Sequence, residues 1–185
     1  MRKTTLVSAV LALLIALLPA CGKEEVNPYA RDYEYGGEAM ARKNDVEWKA
    51  EVRATQAIEP EFGMSLNLYL FNGATLLENL YVYKIPTSLG KFDITITEAI
   101  DENNSTGCEL YTMIDGDVLD DIYYVDTAKV NYITIEEFDA DAATIRGTFQ
   151  VHTLIVKDGR FTDSEPEVRF TAGEYETEVN PEWFE

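Results

Sequence analysis

Thr144-Ile145-Arg146-Gly147-Thr148-Phe149-Gln150-Val151-His152-Thr153-Leu154-Ile155-Val156-Lys157 is the stretch whose reading decides the fold. Ile145, Gly147, Phe149 and Val151 fall on one side of an extended chain, and Arg146, Thr148, Gln150 and His152 on the other. Strict alternation of this kind is the pattern of a strand with one buried face, because successive side chains leave an extended backbone in opposite directions. Asp139 to Ala142 before it and Asp158-Gly159 after it are turn formers, so the strand is bounded on both sides.

The same period of two extends outward in both directions. Upstream, Ile133 and Ile135 oppose Tyr132, Thr134 and Glu136, and Asp121 to Val125 is a short strand carrying Tyr123 and Tyr124. Glu109 to Ile114 precedes it, turned by Asp115-Gly116-Asp117. Phe92, Ile94 and Ile96 alternate with Lys91, Asp93, Thr95 and Thr97, the cleanest amphipathic strand of the chain, and Asp101 to Gly107 reads as a polar loop. Leu80 and Val82 alternate with Tyr81 and Tyr83 until Pro86 stops the strand, and Met64, Leu66, Leu68 and Leu70 face inward in the strand before. Met40 to Arg42 and Val46 to Ala50 flank Lys43-Asn44-Asp45 as a hairpin, with Trp48 as a core anchor. Downstream, Val168 to Thr171 and Glu174 to Val179 form a last pair, and their inward parity shifts across Ala172-Gly173, where a bulge or tight turn is expected. No run at helical spacing occurs after residue 40. The expectation is an all-β domain, either an antiparallel β-sandwich or a flattened up-and-down barrel of about ten strands, with the sandwich preferred.

Before residue 40 the chain is of another kind. Arg2 and Lys3 open it, an apolar run follows from Leu6 to Leu18 broken by Ser8, and Leu18-Pro19-Ala20-Cys21 closes it. Basic start, apolar middle and small residue before the cut make a secretory signal. The apolar run is shorter than the ~20 residues needed to cross a bilayer core. The last four residues resemble the lipobox of bacterial lipoprotein precursors, which implies acylation of Cys21 and cleavage before it. Residues 1–20 are then a leader, 21–38 a flexible tether rich in Tyr29, Tyr33 and Tyr35, and 39–182 a single β-domain. Lys23-Glu24-Glu25 is similar to the acidic export signal of Bacteroidota surface lipoproteins. The implied place is the outer membrane, lipid-anchored through Cys21, facing the periplasm or the cell surface.

The chain carries 34 acidic and 15 basic residues for a formal charge of −19. Losing Arg2 and Lys3 with the leader makes it more acidic still. Such a surface repels phosphate backbones, which argues against nucleic-acid binding, and it leaves membrane attachment to lipid and not to a basic patch. With Cys21 acylated, Cys108 has no intrachain partner, so the core holds the fold without a disulfide. Cys108 reads as an inert, buried thiol.

Little of the chain points to catalysis. A Ser/His/acid triad would need His152, the only histidine, and that residue reads as an ordinary surface side chain on the polar face of its strand. One histidine and one free cysteine cannot build a common zinc site. Asp115, Asp117, Asp120 and Asp121 are the densest oxygen-ligand cluster and weak calcium candidates, lacking the spacing of a known calcium loop. A carboxylate pair for glycoside hydrolysis has no spacing that singles it out. There is no glycine-rich phosphate loop, and no cofactor is implied. Tyr69, Phe71, Tyr81 and Tyr83 lie opposite the aliphatic positions of their strands. They form either an exposed aromatic patch suited to a glycan or protein partner, or a second core layer.

The domain resembles an uncharacterised family of Bacteroidota envelope lipoproteins. Asn44-Asp45-Val46-Glu47-Trp48-Lys49-Ala50 is similar to its opening hairpin, Ser88-Leu89-Gly90-Lys91-Phe92-Asp93-Ile94 to its strand entry, and Tyr132-Ile133-Thr134-Ile135 to Arg146-Gly147-Thr148-Phe149 to a later hairpin. Asp45 stands where a turn glycine is common in that family. The resemblance implies a lipid-anchored β-domain and transfers no catalytic residue. Asp126-Thr127-Ala128 likewise resembles the short motif O-glycosylated in exported Bacteroidota proteins, which makes Thr127 a candidate acceptor. The expected function is a non-enzymatic binding module for a glycan or protein partner, with a carboxylate-dependent glycan hydrolase or a structural subunit of a surface assembly as alternatives.

Overall fold

The computed structural model describes residues 35–56, 63–95, 105–157, 159 and 164–184. Residues 1–20, read as a leader, Cys21, Tyr29, Tyr33, Ile96, and residues 101–104 and 158 lie outside these. Eleven strands follow in order: β1 (Gly36–Lys43), β2 (Val46–Gln56), β3 (Met64–Asn72), β4 (Thr75–Ile85), β5 (Gly90–Asp93), β6 (Gly107–Ile114), β7 (Val118–Val125), β8 (Tyr132–Ile135), β9 (Glu137–Asp139), β10 (Thr144–Lys157) and β11 (Glu167–Glu178). A 3-10 turn, Pro181–Phe184, ends the described chain.

Strands β11, β1, β2, β3, β4, β6, β7 and β10 pair in that order, and β10 pairs again with β11. This closes an eight-stranded antiparallel barrel. Ring closure selects the barrel over the sandwich. An eight-stranded barrel has an interior that side chains can just fill. Here Val52, Met64, Leu66, Leu68, Leu80, Leu110, Ile145, Phe149 and Phe170 are all buried inside it. Trp48 is buried as expected, packs edge-on against Phe170 at 4.9 Å, and donates its indole N–H to Glu78 Oε2 at 3.1 Å.

Turn chemistry sets the register. Asn44 and Asp45 both take positive φ (46° and 68°), the two-residue geometry whose twist matches antiparallel strands. In β11 the expected parity shift is real, as a bend within one continuous strand and not a break between two. Phe149 pairs with Gly173 while Val151 pairs with Phe170, so β11 carries one extra residue, and Ala172 absorbs it at φ 49°.

Three strands stand outside the ring. Strand β10 is long enough for one edge to serve two neighbours in turn: β9 and β8 pair with its first half, β7 with its second. The branch occurs at Gly147. There the Thr134 carbonyl leaves the ladder and accepts the hydroxyl of Tyr175 at 2.7 Å, while Thr134 Oγ1 takes the Thr148 N–H in its place, also at 2.7 Å. Strand β5 adds to β8, away from the barrel.

Several details sharpen or depart from the sequence reading. Gly36 to Glu38, read as tether, already pair with β2, and Gly37 and Glu38 pair with β11 as well. Tyr35 packs against Trp183 with ring centroids 5.4 Å apart, so the end of that segment lies on the domain. The 3-10 turn runs past residue 182, because Phe184 stacks on Phe138 at 4.5 Å. Strand β5 is short, and β9 had no signal, since Glu137-Phe138-Asp139 is too brief to display a period.

Cys108 is fully buried, and burial followed by the charge of Glu109 pushes its thiol far above the ordinary range. Burial does the same to the phenol of Tyr175, with Glu136 adding to it. Both groups stay protonated in the fold at pH values where they ionise in the unfolded chain. The unfolded state therefore binds fewer protons at alkaline pH. Stability is whole below the unfolded pKa, about 8.5 for a thiol and about 10 for a phenol, and falls above it by roughly 1.4 kcal/mol per pH unit for each group. Urea midpoints measured from pH 7 to 10 should decline from about pH 8.5, and Cys108→Ala should remove the early part of that decline. A midpoint flat to pH 10 would contradict it.

Candidate functional site

The four aromatic residues singled out from sequence do not form one patch. Tyr69 and Phe71, on the outer face of β3, are half-buried with ring centroids 6.0 Å apart and planes tilted by 42°. The Arg53 guanidinium lies 5.7 Å from the Tyr69 centroid, a cation–π distance. Tyr81 is half-buried on β4, with its hydroxyl 3.4 Å from Ser65 Oγ. Tyr83 is 2% exposed and leaves the patch. A bulge in β4 explains this: Leu66 pairs with Val82 but Met64 with Ile85, and Lys84 takes φ 55°. Across from Tyr83 stands Gly107 of β6, and the ring lies over it, so closely that a Cβ there would overlap the tyrosine. Tyr83 is thus covered, with its ring centroid 5.2 Å from that of Tyr81, while Tyr69, Phe71 and Tyr81 stay partly exposed.

Register then assembles what the sequence scatters. Reading across neighbouring strands, Tyr69 of β3 faces Glu51 of β2, which faces Glu38 of β1, then Glu176 of β11, Arg146 of β10 and Glu137 of β9. One step along, Lys49, Met40, Glu174 and Thr148 form a parallel row. A groove of about 400 Å³ lies against Tyr69, Phe71, Lys49 and Glu51. Another of about 440 Å³ lies against Arg146, Thr148, Glu136, Glu137, Glu174 and Glu176. Glu38, Ala39 and Met40 line both, so the two are one trough across the outside of the barrel.

The trough is aromatic at one end, has Met40 half exposed in its middle, and is acidic at the other. Arg146 is engaged by Glu137 and stands 3.8 Å from Glu176. Glu136 Oε1 accepts the hydroxyls of Thr134 and Thr148, each at 3.0 Å. Glu38 and Glu174 have no cation among the described residues. Every one of these glutamates is exposed. A glycosidase's proton donor needs a dry setting that keeps its carboxyl protonated, and this trough does not supply one.

The four calcium candidates do not form one group. Asp115 and Asp117 are exposed on a hairpin turn, whereas Asp121 is buried, its Oδ1 accepting the Gly159 N–H at 2.7 Å and the Ser164 hydroxyl at 3.0 Å. A bulge in β7, where Tyr111 pairs with Ile122 but Met113 with Leu119, lets Asp120 and Asp121 both reach Gly159, Asp120 Oδ1 lying where a Cβ of that glycine would be, while Asp115 and Asp117 stay apart on their turn. Among the described residues no group of three or more His, Cys, Asp or Glu could hold a metal ion. Thr127 sits exposed at a turn in which Asp126 Oδ1 accepts the Ala128 N–H at 3.0 Å. His152 is half-buried, not free at the surface, with Nδ1 3.2 Å from Asn131 Oδ1.

Sequence reasoning missed the trough. Its one local signal is Glu174-x-Glu176-x-Glu178, three like charges on one face of a strand. Searches against protein-family models, curated proteins and solved structures return no match to this chain.

Proposed function

We propose that this chain is a lipid-anchored protein of the bacterial cell envelope, non-enzymatic, whose barrel binds a protein partner through a cationic segment laid along the trough. The anchor is Cys21, at the end of the leader-like opening stretch, and the place is the outer membrane, facing the periplasm or the cell surface.

One observation carries the binding reading. The fold keeps Glu38, without a cation among the described residues, between Glu51, which pairs with Arg53 at 3.2 Å, and Glu176, 3.8 Å from Arg146, although like charges directly opposite each other are destabilising. Departures from local rules of this kind concentrate at functional sites, where a partner offsets them. A lysine- or arginine-bearing segment would relieve the repulsion, while Met40, Tyr69 and Phe71 offer it apolar contact. A protein segment is favoured over a glycan because Tyr69 and Phe71 are tilted to one another and do not make a flat platform for a sugar ring.

Fluorescence anisotropy with a labelled lysine-rich decapeptide tests this. Binding should weaken at least tenfold in Glu174→Lys/Glu176→Lys and more than twofold in Tyr69→Ala, and should fade with added salt, since exposed charges are screened within a Debye length. Asp115→Lys/Asp117→Lys makes the same charge change away from the trough and should have a much smaller effect. Equal losses in the two charge-reversed proteins would mean diffuse attraction and would remove the trough from the account.

A further inference from the structure

We propose that a second pocket, centred on His152 and separate from the trough, takes a single neutral sugar ring. It holds about 280 Å³, and Asp126, Lys129, His152, Leu154, Glu167 and Arg169 are the lining residues that matter. That volume lies just below the ~300 Å³ at which drug-sized pockets begin, which limits the occupant to about one ring.

The chemistry follows from a buried asparagine. Asn131 Nδ2 donates to the carbonyls of Asp126 (2.7 Å) and Lys129 (3.2 Å), and Asn131 Oδ1 accepts the backbone N–H of His152 at 2.7 Å. Flipping the amide would oppose donor to donor and acceptor to acceptor, so its orientation is determined. The oxygen near His152 Nδ1 can only accept, and therefore Nδ1 carries the proton. With the proton on Nδ1, Nε2 is an acceptor and has no hydrogen-bond partner among the described residues.

The walls are held by backbone bonds. Asp126 N–H donates to the His152 carbonyl at 2.8 Å, and the β1–β2 turn is sewn to β11 by Asn44 N–H to the Arg169 carbonyl (3.0 Å) and Arg169 N–H to Asn44 Oδ1 (2.9 Å). A pocket fixed in advance loses little freedom when it binds. Lys129 and Arg169 share the lining with Asp126 and Glu167, and Arg169 is also paired with Asp45, so the walls carry both signs of charge within a chain of 34 acids and 15 bases. A ligand of one charge meets its own sign there as well as the opposite one. A neutral polyol gains from all of them: Nε2, Asp126 and Glu167 accept its hydroxyls, Lys129 and Arg169 donate, and Leu154, 38% exposed, meets its C–H face.

Because the chain has a single histidine, its imidazole resonances need no assignment. Methyl β-glucoside, methyl β-galactoside, methyl α-mannoside and N-acetylglucosamine would each be titrated into the protein while the His152 ring signals are followed. At least one should shift them saturably, with affinity falling fivefold or more in Lys129→Ala and in Glu167→Gln, both exposed positions, and unchanged in Tyr69→Ala. The nitrogen spectrum of the neutral ring should place the proton on Nδ1. No saturable shift with any of the four, a shift given by zinc alone, affinity unchanged in both pocket variants, or a proton found on Nε2 would each overturn the proposal. Because Tyr69→Ala lies in the trough, failure of one site is distinguishable from failure of the other.

Discussion

Replacing Gly147 by alanine should destabilise the fold by about 3 kcal/mol, at the upper end of what one added methyl causes in a packed interior. The reason is local. Gly147 is buried at the point where one edge of β10 passes from β9 to β8, and a Cβ there would overlap the Thr134 carbonyl and lie 2.9 Å from the Tyr175 hydroxyl. Neither neighbour can retreat cheaply. The Thr134 carbonyl belongs to the backbone of β8 and is satisfied by Tyr175, while Thr134 Oγ1 holds the Thr148 N–H. Moving the strand away would break both bonds and leave a carbonyl without a partner, which costs about 1–3 kcal/mol on its own. For a domain of this size the loss corresponds to a fall in Tm of roughly 6–12 °C. Urea unfolding of Gly147→Ala beside Gly36→Ala is the measurement, since a Cβ at Gly36 meets nothing. If the two variants unfold at the same midpoint, the branch at Gly147 is looser than described.

The importance of Gly147 could not be read from the chain, although its place on the inward face of β10 could. Alternation specifies which face a residue takes, and for Ile145, Phe149, Val151, Leu66, Leu68 and Leu80 that was enough. Alternation is silent on which strands meet. The pairing of β11 with β1 joins the two ends of the domain and that of β10 with β7 skips two strands, so a sandwich and a barrel share one pattern. The trough was hidden for the same reason. Glu38 falls in the stretch read as tether and Glu137 in a strand too short to show a period, Glu51 and Glu176 look like ordinary polar positions, and only register sets the four in a row. Tyr83 misled differently: its parity pointed outward, and a bulge at Lys84 facing a glycine laid its ring flat against β6. His152 was read from its place on the polar face of its strand as an ordinary surface histidine, because Asn131, which orients it, lies 21 residues earlier in the chain.

Replacing Cys21 by alanine should abolish incorporation of labelled fatty acid and leave the chain at its precursor mass. The proposal makes this thiol the sole attachment to the membrane. A charge of −19 excludes help from anionic headgroups, which attract basic segments. The apolar run from Leu6 to Leu18 is too short to span. What remains is lipid: each buried methylene contributes about 0.8 kcal/mol, one acyl chain anchors only marginally, and a diacylglycerol thioether with an N-acyl chain anchors stably. The loss on removing Cys21 is therefore all or none, unlike the graded losses expected in the trough. Metabolic labelling, intact mass and detergent-phase partition read it in one sample. A Cys21→Ala protein that is processed and still partitions like the wild type would refute the anchor. The trough and the His152 pocket would survive that result, because every strand that builds them begins at or after Gly36.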